Sequence, residues 1–350
     1  MKLIKINSGQ AKSSRAGVFR GGGRLTRSQP VATLVGGFRD QRKEGNVALA
    51  EPTTVQAGDI EMHAGDLDPG RAAAIYAEHG CLVVRGLMRA YAAAIGADVV
   101  RTMEQAIRLY EAGKYKASNV GLGTPDGTLL IPAPDGFERA WQVMVTSCQY
   151  NTSSTFLRSA FDPDLLGIVQ AILGDEVEIF GNGQTLCKEP AGGHPKLLHQ
   201  DASYFEHKYE GPVGVLCYTI PTTVERGALH VVPGSHRLEI LEHVDTESHL
   251  GLDPGQWTFD RAVPIEGDTG DAIFFHVKMI HGSPPNYSEV PRPVFIHRYR
   301  RADDYAVIRA STVEDRKARA AEVDEAKKEN QLGLMVAGFR GYADDRAAHR

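Results

Sequence analysis

The second half of the chain carries a series of short strand-like segments, and this pattern limits the fold more than any other feature of the sequence. Proline and glycine residues separate the segments, as they separate the strands of β domains. The segments lie at 177–188, 198–205, 213–220, 228–232, 272–277 and 293–300. Because helical patterns precede them, we expect a mainly β domain with flanking helices, which belongs to the α+β class.

Three helices are predicted before the strand-like segments. The first covers 68–79, because Asp68 is a good N-cap, a proline follows it in the first turn and a glycine ends the pattern. The second covers 88–112 and the third covers 163–173, and each also stops at a glycine. Residues 81–86 have the apolar composition of a buried strand.

Composition divides the chain into three parts. Residues 1–55 are rich in Gly, Ser, Arg and Lys and have little apolar periodicity, so we expect a mobile N-terminal arm. Residues 56–310 hold the strong helix and strand patterns and are expected to form a single domain. Within 311–350, the stretch 312–331 is dense in Ala, Glu, Lys and Arg, so we expect a C-terminal helical tail.

The overall composition is that of an ordinary globular protein, with 350 residues of which 42% are hydrophobic and 24% are charged. A formal net charge of −5 argues against general binding to nucleic acids. No apolar run approaches the roughly 18 residues that span a bilayer, so we expect no membrane partner. The four cysteines form no CxxC pair, which suits reduced thiols and a cytoplasmic location.

Two histidines and an aspartate could together form a metal site. His199 and Asp201 stand two apart in a strand-like segment, and a strand would point both side chains to one face, about 7 Å apart along the backbone. A second histidine from a distant strand, His281, would complete a set of two imidazoles and one carboxylate. Such a set leaves open positions on iron(II) for a cosubstrate and dioxygen. We therefore predict these three residues as metal ligands and catalytic residues.

Three blocks of sequence surround this pattern. They read HPKLLHQD from residue 194, GALHVVPGSH from residue 227 and GDAIFFH from residue 270, and a later HGS contains His281. In their order and spacing, across 175–305, these blocks resemble the phytanoyl-CoA dioxygenase family. The resemblance implies the family's fold, a double-stranded β-helix of the jelly-roll or cupin-like type, here a barrel backed by helices. It also implies an oxygenase that uses iron(II), 2-oxoglutarate and dioxygen.

The resemblance assigns further residues to the cosubstrate. Arg292 follows His281 at the position where the family places an arginine that binds the distal carboxylate of 2-oxoglutarate. A guanidinium suits that role because it can donate two parallel hydrogen bonds to a carboxylate. Ser283 is expected to assist through its hydroxyl group. Arg298 and Arg300 share a strand parity with Arg292 and stay open as alternatives.

Three other residues are candidates for the same pocket. Tyr218 stands where phytanoyl-CoA hydroxylase has a tryptophan, so it either packs beside 2-oxoglutarate or serves as a core aromatic residue. Gln184 and Lys188 are four apart in a strand-like segment and would share a face. Both could line the pocket, and a solvated lysine is an equal alternative for Lys188.

The sequence therefore predicts a non-haem iron, 2-oxoglutarate-dependent dioxygenase that hydroxylates or otherwise oxidises a small molecule in specialised metabolism. The reaction would convert 2-oxoglutarate to succinate and CO2. The identity of the substrate and the oligomeric state stay open, and an oligomer is compatible with the sequence. Two alternatives remain: a cupin-like metal enzyme that does not use 2-oxoglutarate, and a non-catalytic jelly-roll binding protein. The first would need Arg292 to be exposed or engaged elsewhere.

Overall fold

A computed structural model of the chain describes residues 55, 57–120, 123–193, 195–246, 249–309, 312–314, 316 and 332–340. The arm expected over 1–55 and most of the helical tail expected over 311–350 lie outside the described residues. Within the described part, the fold is mainly β with few helices. The α-helices are α1 (Pro69–His79), α2 (Arg89–Glu111), α3 (Ser154–Ser159) and α4 (Pro163–Leu173). None of them combines the length and the apolar character needed to cross a bilayer.

The strands are short apart from one near the end of the domain. The first nine in chain order are β1 (Glu61–His63), β2 (Cys81–Arg85), β3 (Leu129–Pro132), β4 (Trp141–Thr146), β5 (Val177–Ile179), β6 (Gln184–Lys188), β7 (Lys196–His199), β8 (Phe205–His207) and β9 (Val213–Tyr218). The others are β10 (Leu229–Val231), β11 (Val244–Asp245), β12 (Leu250–Gly251), β13 (Val263–Ile265), β14 (Ala272–His276), β15 (His281–Ser283), β16 (Arg292–Arg301), β17 (Ala306–Arg309) and β18 (Met335–Ala337).

Two sheets form the centre of the molecule. The large sheet runs in the order β1-β2-β14-β9-β16-β6-β4-β3, with β5 added to β16 and β18 added to β5. The small sheet runs in the order β13-β10-β15-β7. One cluster of buried side chains combines Leu216 and Phe275 of the large sheet with Leu229 and Val231 of the small sheet. The two sheets therefore pack face to face.

The helices cover the opposite face of the large sheet. A second buried cluster joins Ile95 of α2 and Ile168 of α4 to Phe295 and Tyr299 of β16. Because side chains alternate along a strand, the odd-numbered residues of β16 face the helices and the even-numbered residues face the small sheet. This alternation places one row of β16 in the core and leaves the other row for a site between the sheets.

The helix predictions are confirmed for α1, α2 and α4. In α1 the N-cap residue and the terminal glycine act as expected. The Asp68 carboxylate accepts a hydrogen bond from Arg71 N at 3.1 Å, and Gly80 ends α1 with φ of 72°. Helix α3 and the β3–β4 pair were not predicted. The strand expected over 198–205 is wrong as a continuous element, because β7 ends at His199 and a 3-10 turn follows. At the C-terminus, β18 forms a strand in a region where the sequence suggested a helical tail.

Burial of His297 in β16 should make the protein less stable as the pH falls. Its Nδ1 lies 2.8 Å from the Tyr150 hydroxyl and its Nε2 lies 2.9 Å from Ser159 Oγ. Burial lowers the pKa of His297 from 6.5 to about 3. Below pH 6.5 this histidine therefore binds a proton in the unfolded chain but stays neutral in the folded chain. The free energy of unfolding should lose up to about 1.4 kcal/mol per pH unit from this group.

Urea unfolding of the wild type and of His297→Gln between pH 7 and pH 4 measures this effect. The variant lacks the titrating ring, so we expect its stability to fall less steeply with acidity. Parallel curves for the two proteins would contradict the prediction.

Candidate metal centre

The three predicted metal ligands meet on the small sheet. His199 ends β7 and His281 begins β15, and the two residues are direct partners in that antiparallel pair. Their ring centroids are 4.3 Å apart. Asp201 Oδ1 lies 3.6 Å from His199 Nε2 and 3.9 Å from His281 Nε2. The three donor atoms all lie within 4.8 Å of one another, and all three residues are buried.

Asp201 lies near the two histidines for a different reason from the one that the sequence suggested, which was a shared strand with His199. Asp201 is not on the strand with His199 but begins the 3-10 turn Asp201–Ser203. Gln200 holds this turn, because its amide donates to Lys278 O at 2.9 Å and its side-chain oxygen accepts from Leu241 N at 2.8 Å. The turn, and not the period of a strand, brings the carboxylate to the imidazoles.

The backbone sets the tautomer of both histidines. His199 Nδ1 lies 2.8 Å from Leu197 O and His281 Nδ1 lies 2.9 Å from Met279 O. A carbonyl oxygen only accepts, so each Nδ1 carries the hydrogen and each Nε2 keeps its lone pair for a metal. Burial, with a smaller effect from the neighbouring His281, lowers the pKa of His199 to about 3. Burial also lowers the pKa of His281, so both rings are neutral near pH 7.

Asp201 is held in its ionised form. Burial alone would raise the pKa of the carboxyl group, but the Arg298 guanidinium outweighs burial and holds this pKa well below its usual range. Arg298 Nη2 donates to Asp201 Oδ2 at 3.1 Å, while Oδ1 faces the histidines. Two neutral imidazoles and one carboxylate are the donor set that suits a non-haem iron(II) centre. The residues therefore fit a metal of that kind.

The centre opens into a cavity of about 1060 Å³ between the two sheets. The even-numbered residues of β16 form one wall: Arg292, Val294, Ile296 and Arg298. Apolar side chains of β3, β4, β8 and the residue after β5 also line the cavity: Leu129, Ile131, Met144, Phe205 and Phe180. The volume is at the upper end of that of small-molecule sites, and the lining combines apolar walls with a few polar groups.

Arg292 lines this cavity and is 3% exposed. Its guanidinium donates to the carbonyl oxygens of Gly227 and Arg226, and no carboxylate among the described residues pairs with it. Lys188, its direct partner on β6, donates to Ser283 O at 3.2 Å. Burial, and then the nearby positive charge of Arg292, lower the pKa of Lys188. Arg292, Lys188 and Ser283 thus form a cationic pocket that suits an anion.

The two alternative arginines have other partners. Arg298 contacts Asp201, as described above. Arg300 is 1% exposed and pairs with the buried Glu178 at 2.7 Å, and it does not line the cavity. Among the described arginines of β16, Arg292 is therefore the one that lines the cavity without a carboxylate partner. Gln184 lines the same cavity, as the sequence predicts.

The structure places Tyr218 in the core between the sheets and not among the residues that line the cavity. Its hydroxyl donates to Ile265 O at 2.6 Å and accepts from Leu229 N at 2.9 Å. Of the two roles left open by the sequence, this geometry favours the core aromatic residue. The hydroxyl is occupied by the small sheet, and a place for the ring beside 2-oxoglutarate stays a prediction.

Replacing Tyr218 with phenylalanine tests which of the two roles holds. The change leaves a buried carbonyl and a buried N–H without a partner, so we expect a loss of about 1–3 kcal/mol in the free energy of unfolding. Affinity for 2-oxoglutarate should stay within about twofold of the wild type, a change too small to indicate a lost contact. Full stability together with weakened 2-oxoglutarate binding would restore the cosubstrate role.

Two cavity residues were not found from the sequence. Lys196 begins β7, pairs with Ser283 across the small sheet and lines the cavity. His249 lies 5.2 Å from His199 between ring centroids, and its Nε2 is 3.1 Å from Leu197 O. The position of Lys196 in the HPKLLHQD block was a usable signal, whereas nothing local marks His249. His194, in the same block, lies outside the described residues.

The fold and the site define a class: a two-sheet β protein with a candidate site for one metal ion, made of two histidines and one carboxylate. The chain belongs to the phytanoyl-CoA dioxygenase (PhyH) family, whose sequence profile matches residues 76–294. The family suggested by the sequence blocks is thereby confirmed.

Curated relatives match the chain at low identity. A probable alpha-ketoglutarate-dependent hypophosphite dioxygenase of Stutzerimonas stutzeri is 26% identical over 153 residues, which cover 41% of this chain and 52% of that protein. The 1-deoxypentalenic acid 11-beta-hydroxylase of Streptomyces arenae is 25% identical over 232 residues, which cover 62% of this chain and 74% of that protein. The match spans about half the length of the first of these relatives.

A similar solved structure is that of the non-heme alpha-ketoglutarate-dependent carbocyclase SnoK from nogalamycin biosynthesis. The two structures have a TM-score of 0.50 at 18% sequence identity, and the match covers 80% of this chain and 97% of SnoK. At this identity the likeness concerns the fold alone. It agrees with a mainly β architecture that has few helices.

Proposed function

We propose that this protein is an iron(II)- and 2-oxoglutarate-dependent dioxygenase that hydroxylates, or otherwise oxidises, a small organic molecule. The observation that carries the proposal is the convergence of three candidate ligand atoms within 4.8 Å of one another at the wall of a cavity that Arg292 also lines. Membership of the PhyH family supports it. The relatives described as a probable alpha-ketoglutarate-dependent dioxygenase and as a hydroxylase also support the proposal.

In this proposal, His199, Asp201 and His281 hold iron(II). Arg292 binds the distal carboxylate of 2-oxoglutarate, and Lys188 and Ser283 lie beside it. When bound, iron(II) supplies the redox chemistry that couples decarboxylation of 2-oxoglutarate by dioxygen to oxidation of a substrate C–H bond, with succinate and CO2 as the other products. The buried apolar walls exclude water from the reacting groups.

The closure of the two sheets into a barrel is also part of the proposal. We infer that the large and small sheets close into the double-stranded β-helix barrel typical of jelly-roll proteins, with 56–310 as one oxygenase domain. The face-to-face packing of the sheets supports this. The position of the metal residues on the small sheet, facing the large one, supports it as well.

The alternative of a cupin-like enzyme without 2-oxoglutarate required Arg292 to be exposed or engaged elsewhere. Arg292 is buried, and among the described residues its partners are two backbone carbonyls. A buried guanidinium without a counter-ion favours a site for an anionic cosubstrate. The same feature disfavours a non-catalytic binding protein, which would not need the metal residues and this anion pocket in one cavity.

An anaerobic absorption spectrum tests the proposed function without knowledge of the substrate. Iron(II) and 2-oxoglutarate are added to the full chain, and a metal-to-ligand charge-transfer band of the chelated keto acid is expected in the visible range. Zinc(II) serves as the control metal, because its filled d shell gives no such band. Stoichiometric iron binding without the band would contradict the use of 2-oxoglutarate.

A further inference from the structure

The turn Asp201–Ser203 presents one of the three candidate metal ligands, and one side of it is bound to the segment between β14 and β15. Ala202 N donates to Val277 O at 2.9 Å, and the amide nitrogen of the preceding Gln200 donates to Lys278 O. These contacts do not involve the carbonyl groups of the turn. Those groups need donors from elsewhere, because a buried backbone carbonyl without a partner is costly.

Arg316 supplies donors to two of these carbonyl groups. Its Nη1 donates to Ser203 O at 2.9 Å and to Ala202 O at 3.3 Å. Ala202 is 2% exposed and Ser203 is 0% exposed, so water cannot easily replace the guanidinium. The Arg316 Nη2 donates to Glu206 Oε2 at 2.7 Å in a partly exposed ion pair. Because exposed ion pairs stabilise little, the contacts with the buried carbonyl groups should have the larger effect.

Arg316 reaches the turn from a short helical segment that follows β17. Arg316 N donates to Thr312 O at 3.0 Å, as in a helical turn. Val313 N donates to Asp245 Oδ1 at 3.2 Å, and both Thr312 and Asp245 line the cavity. The segment is therefore anchored beside the cavity, and its arginine is directed at the turn that carries Asp201.

This contact comes from outside the part of the chain that matches the family. The family profile covers residues 76–294, and all three candidate ligands lie within that range. Arg316 lies beyond it. The family pattern thus accounts for the ligands, whereas the support for the turn comes from a segment that the profile does not cover.

We propose that Arg316 is a positioning residue of the candidate metal centre. It fixes the turn that presents Asp201, so that the segment around Arg316 contributes to iron binding although it supplies no ligand. The inference rests on the proposed function for the identity of the metal. Without the guanidinium, two buried carbonyl groups lose this donor, the turn becomes more mobile, and Asp201 Oδ1 faces the histidines for less of the time.

Anaerobic titration of the metal-free full chain with iron(II), in competition with a chelating indicator, tests the proposal. Loss of a group that supports a metal ligand weakens metal binding about 10- to 100-fold, and Arg316 acts through the backbone, so we expect about tenfold for Arg316→Ala. Arg316→Lys should recover part of the loss, because its ammonium still donates. Iron affinity of Arg316→Ala within about twofold of the wild type would overturn the proposal.

The affinity of the iron-loaded protein for 2-oxoglutarate separates positioning from general damage. Arg292 and Lys188 lie on other strands, so this affinity should stay within about twofold of the wild type in Arg316→Ala. A parallel loss of both affinities would indicate a damaged fold and overturn the proposal.

Two control variants locate the effect. Glu206→Gln removes the ion pair but leaves the carbonyl contacts, so it should bind iron like the wild type. Arg301→Ala removes an exposed arginine that pairs with Asp303 outside the cavity, and it should also bind iron normally. A loss in Glu206→Gln as large as that in Arg316→Ala would place the effect on the ion pair and overturn the role of the carbonyl contacts.

Amide hydrogen exchange in the metal-free protein gives a readout that needs no metal. The Ala202 amide bonds to Val277 O and the Tyr204 amide bonds to Asp201 O, so both should exchange faster in Arg316→Ala, while the amides of β9 and β16 keep their rates. Unchanged exchange at the turn, or faster exchange everywhere, would overturn the proposal. Absence of the charge-transfer band in the wild type would instead count against the proposed function, which distinguishes the two failures.

Discussion

Replacing Asp201 with alanine should abolish tight iron binding and turnover together. The change removes one of the three predicted ligands, and it leaves the Arg298 guanidinium without its carboxylate next to two neutral imidazoles. Loss of a residue that only supports a metal ligand weakens metal binding or activity about 10- to 100-fold, so loss of the ligand itself should exceed that range. Iron titration followed by 2-oxoglutarate decarboxylation measures both effects, and His199→Ala and His281→Ala should behave alike.

Asp245→Asn is the matched control for this prediction. Asp245 also carries a carboxylate into the lining of the cavity, but it is exposed at the rim and lies outside the metal cluster. This variant should keep full iron stoichiometry. Stoichiometric tight iron binding by the triple alanine variant of the three ligands would refute the assignment of the centre.

Replacing Arg292 with alanine should have the second-largest effect. If the guanidinium binds the distal carboxylate of 2-oxoglutarate, its loss leaves a buried anion unpaired and costs on the order of 2–5 kcal/mol of binding free energy. That range corresponds to a loss of affinity from about 30-fold to several thousandfold. Titration of the charge-transfer band with 2-oxoglutarate measures the change, and iron stoichiometry should stay at the wild-type value.

Arg292→Lys helps to separate charge from geometry. Lysine keeps the positive charge but cannot make two parallel hydrogen bonds, so we expect an affinity between those of the wild type and the alanine variant. Arg301→Ala controls for the loss of an arginine from β16 outside the cavity. Unchanged 2-oxoglutarate affinity in Arg292→Ala would move the role to Arg298 or to Lys188.

The sequence predicted well what depends on local chemistry. The acidic N-cap and the terminal glycine located α1, because both act through hydrogen bonds and backbone angles within a few residues. The residue types of the metal cluster were also visible, since the same short blocks carry His199, Asp201 and His281. The parity argument along β16 held for Arg292 and Arg298, because a long regular strand keeps its alternation.

What the sequence did not predict depends on contacts between distant segments. The turn that carries Asp201 is fixed by two hydrogen bonds of Gln200: its amide nitrogen donates to Lys278 O, and its side-chain oxygen accepts from Leu241 N. The bond between Arg298 and Asp201 likewise joins two strand regions whose approach only the folded chain defines. Tyr218 resembled a pocket residue by position, but its hydroxyl bonds to the small sheet across the core. No local pattern encodes these pairings.

The candidate reactive residues of the cavity and some of its apolar lining residues lie on different parts of the fold. Arg292 and His281 stand on β16 and β15, which have neighbour strands on both sides, and β15 pairs with β7, the strand that His199 ends. Leu129 and Ile131 stand on β3, the last strand in the order of the large sheet, which pairs with β4 and has an isolated bridge to Val120 on its other side. An edge strand can change its sequence without breaking a ladder on its outer side. Enzyme engineers who wish to redirect this protein should therefore diversify β3 and its turn to β4, because the reactive machinery does not depend on them.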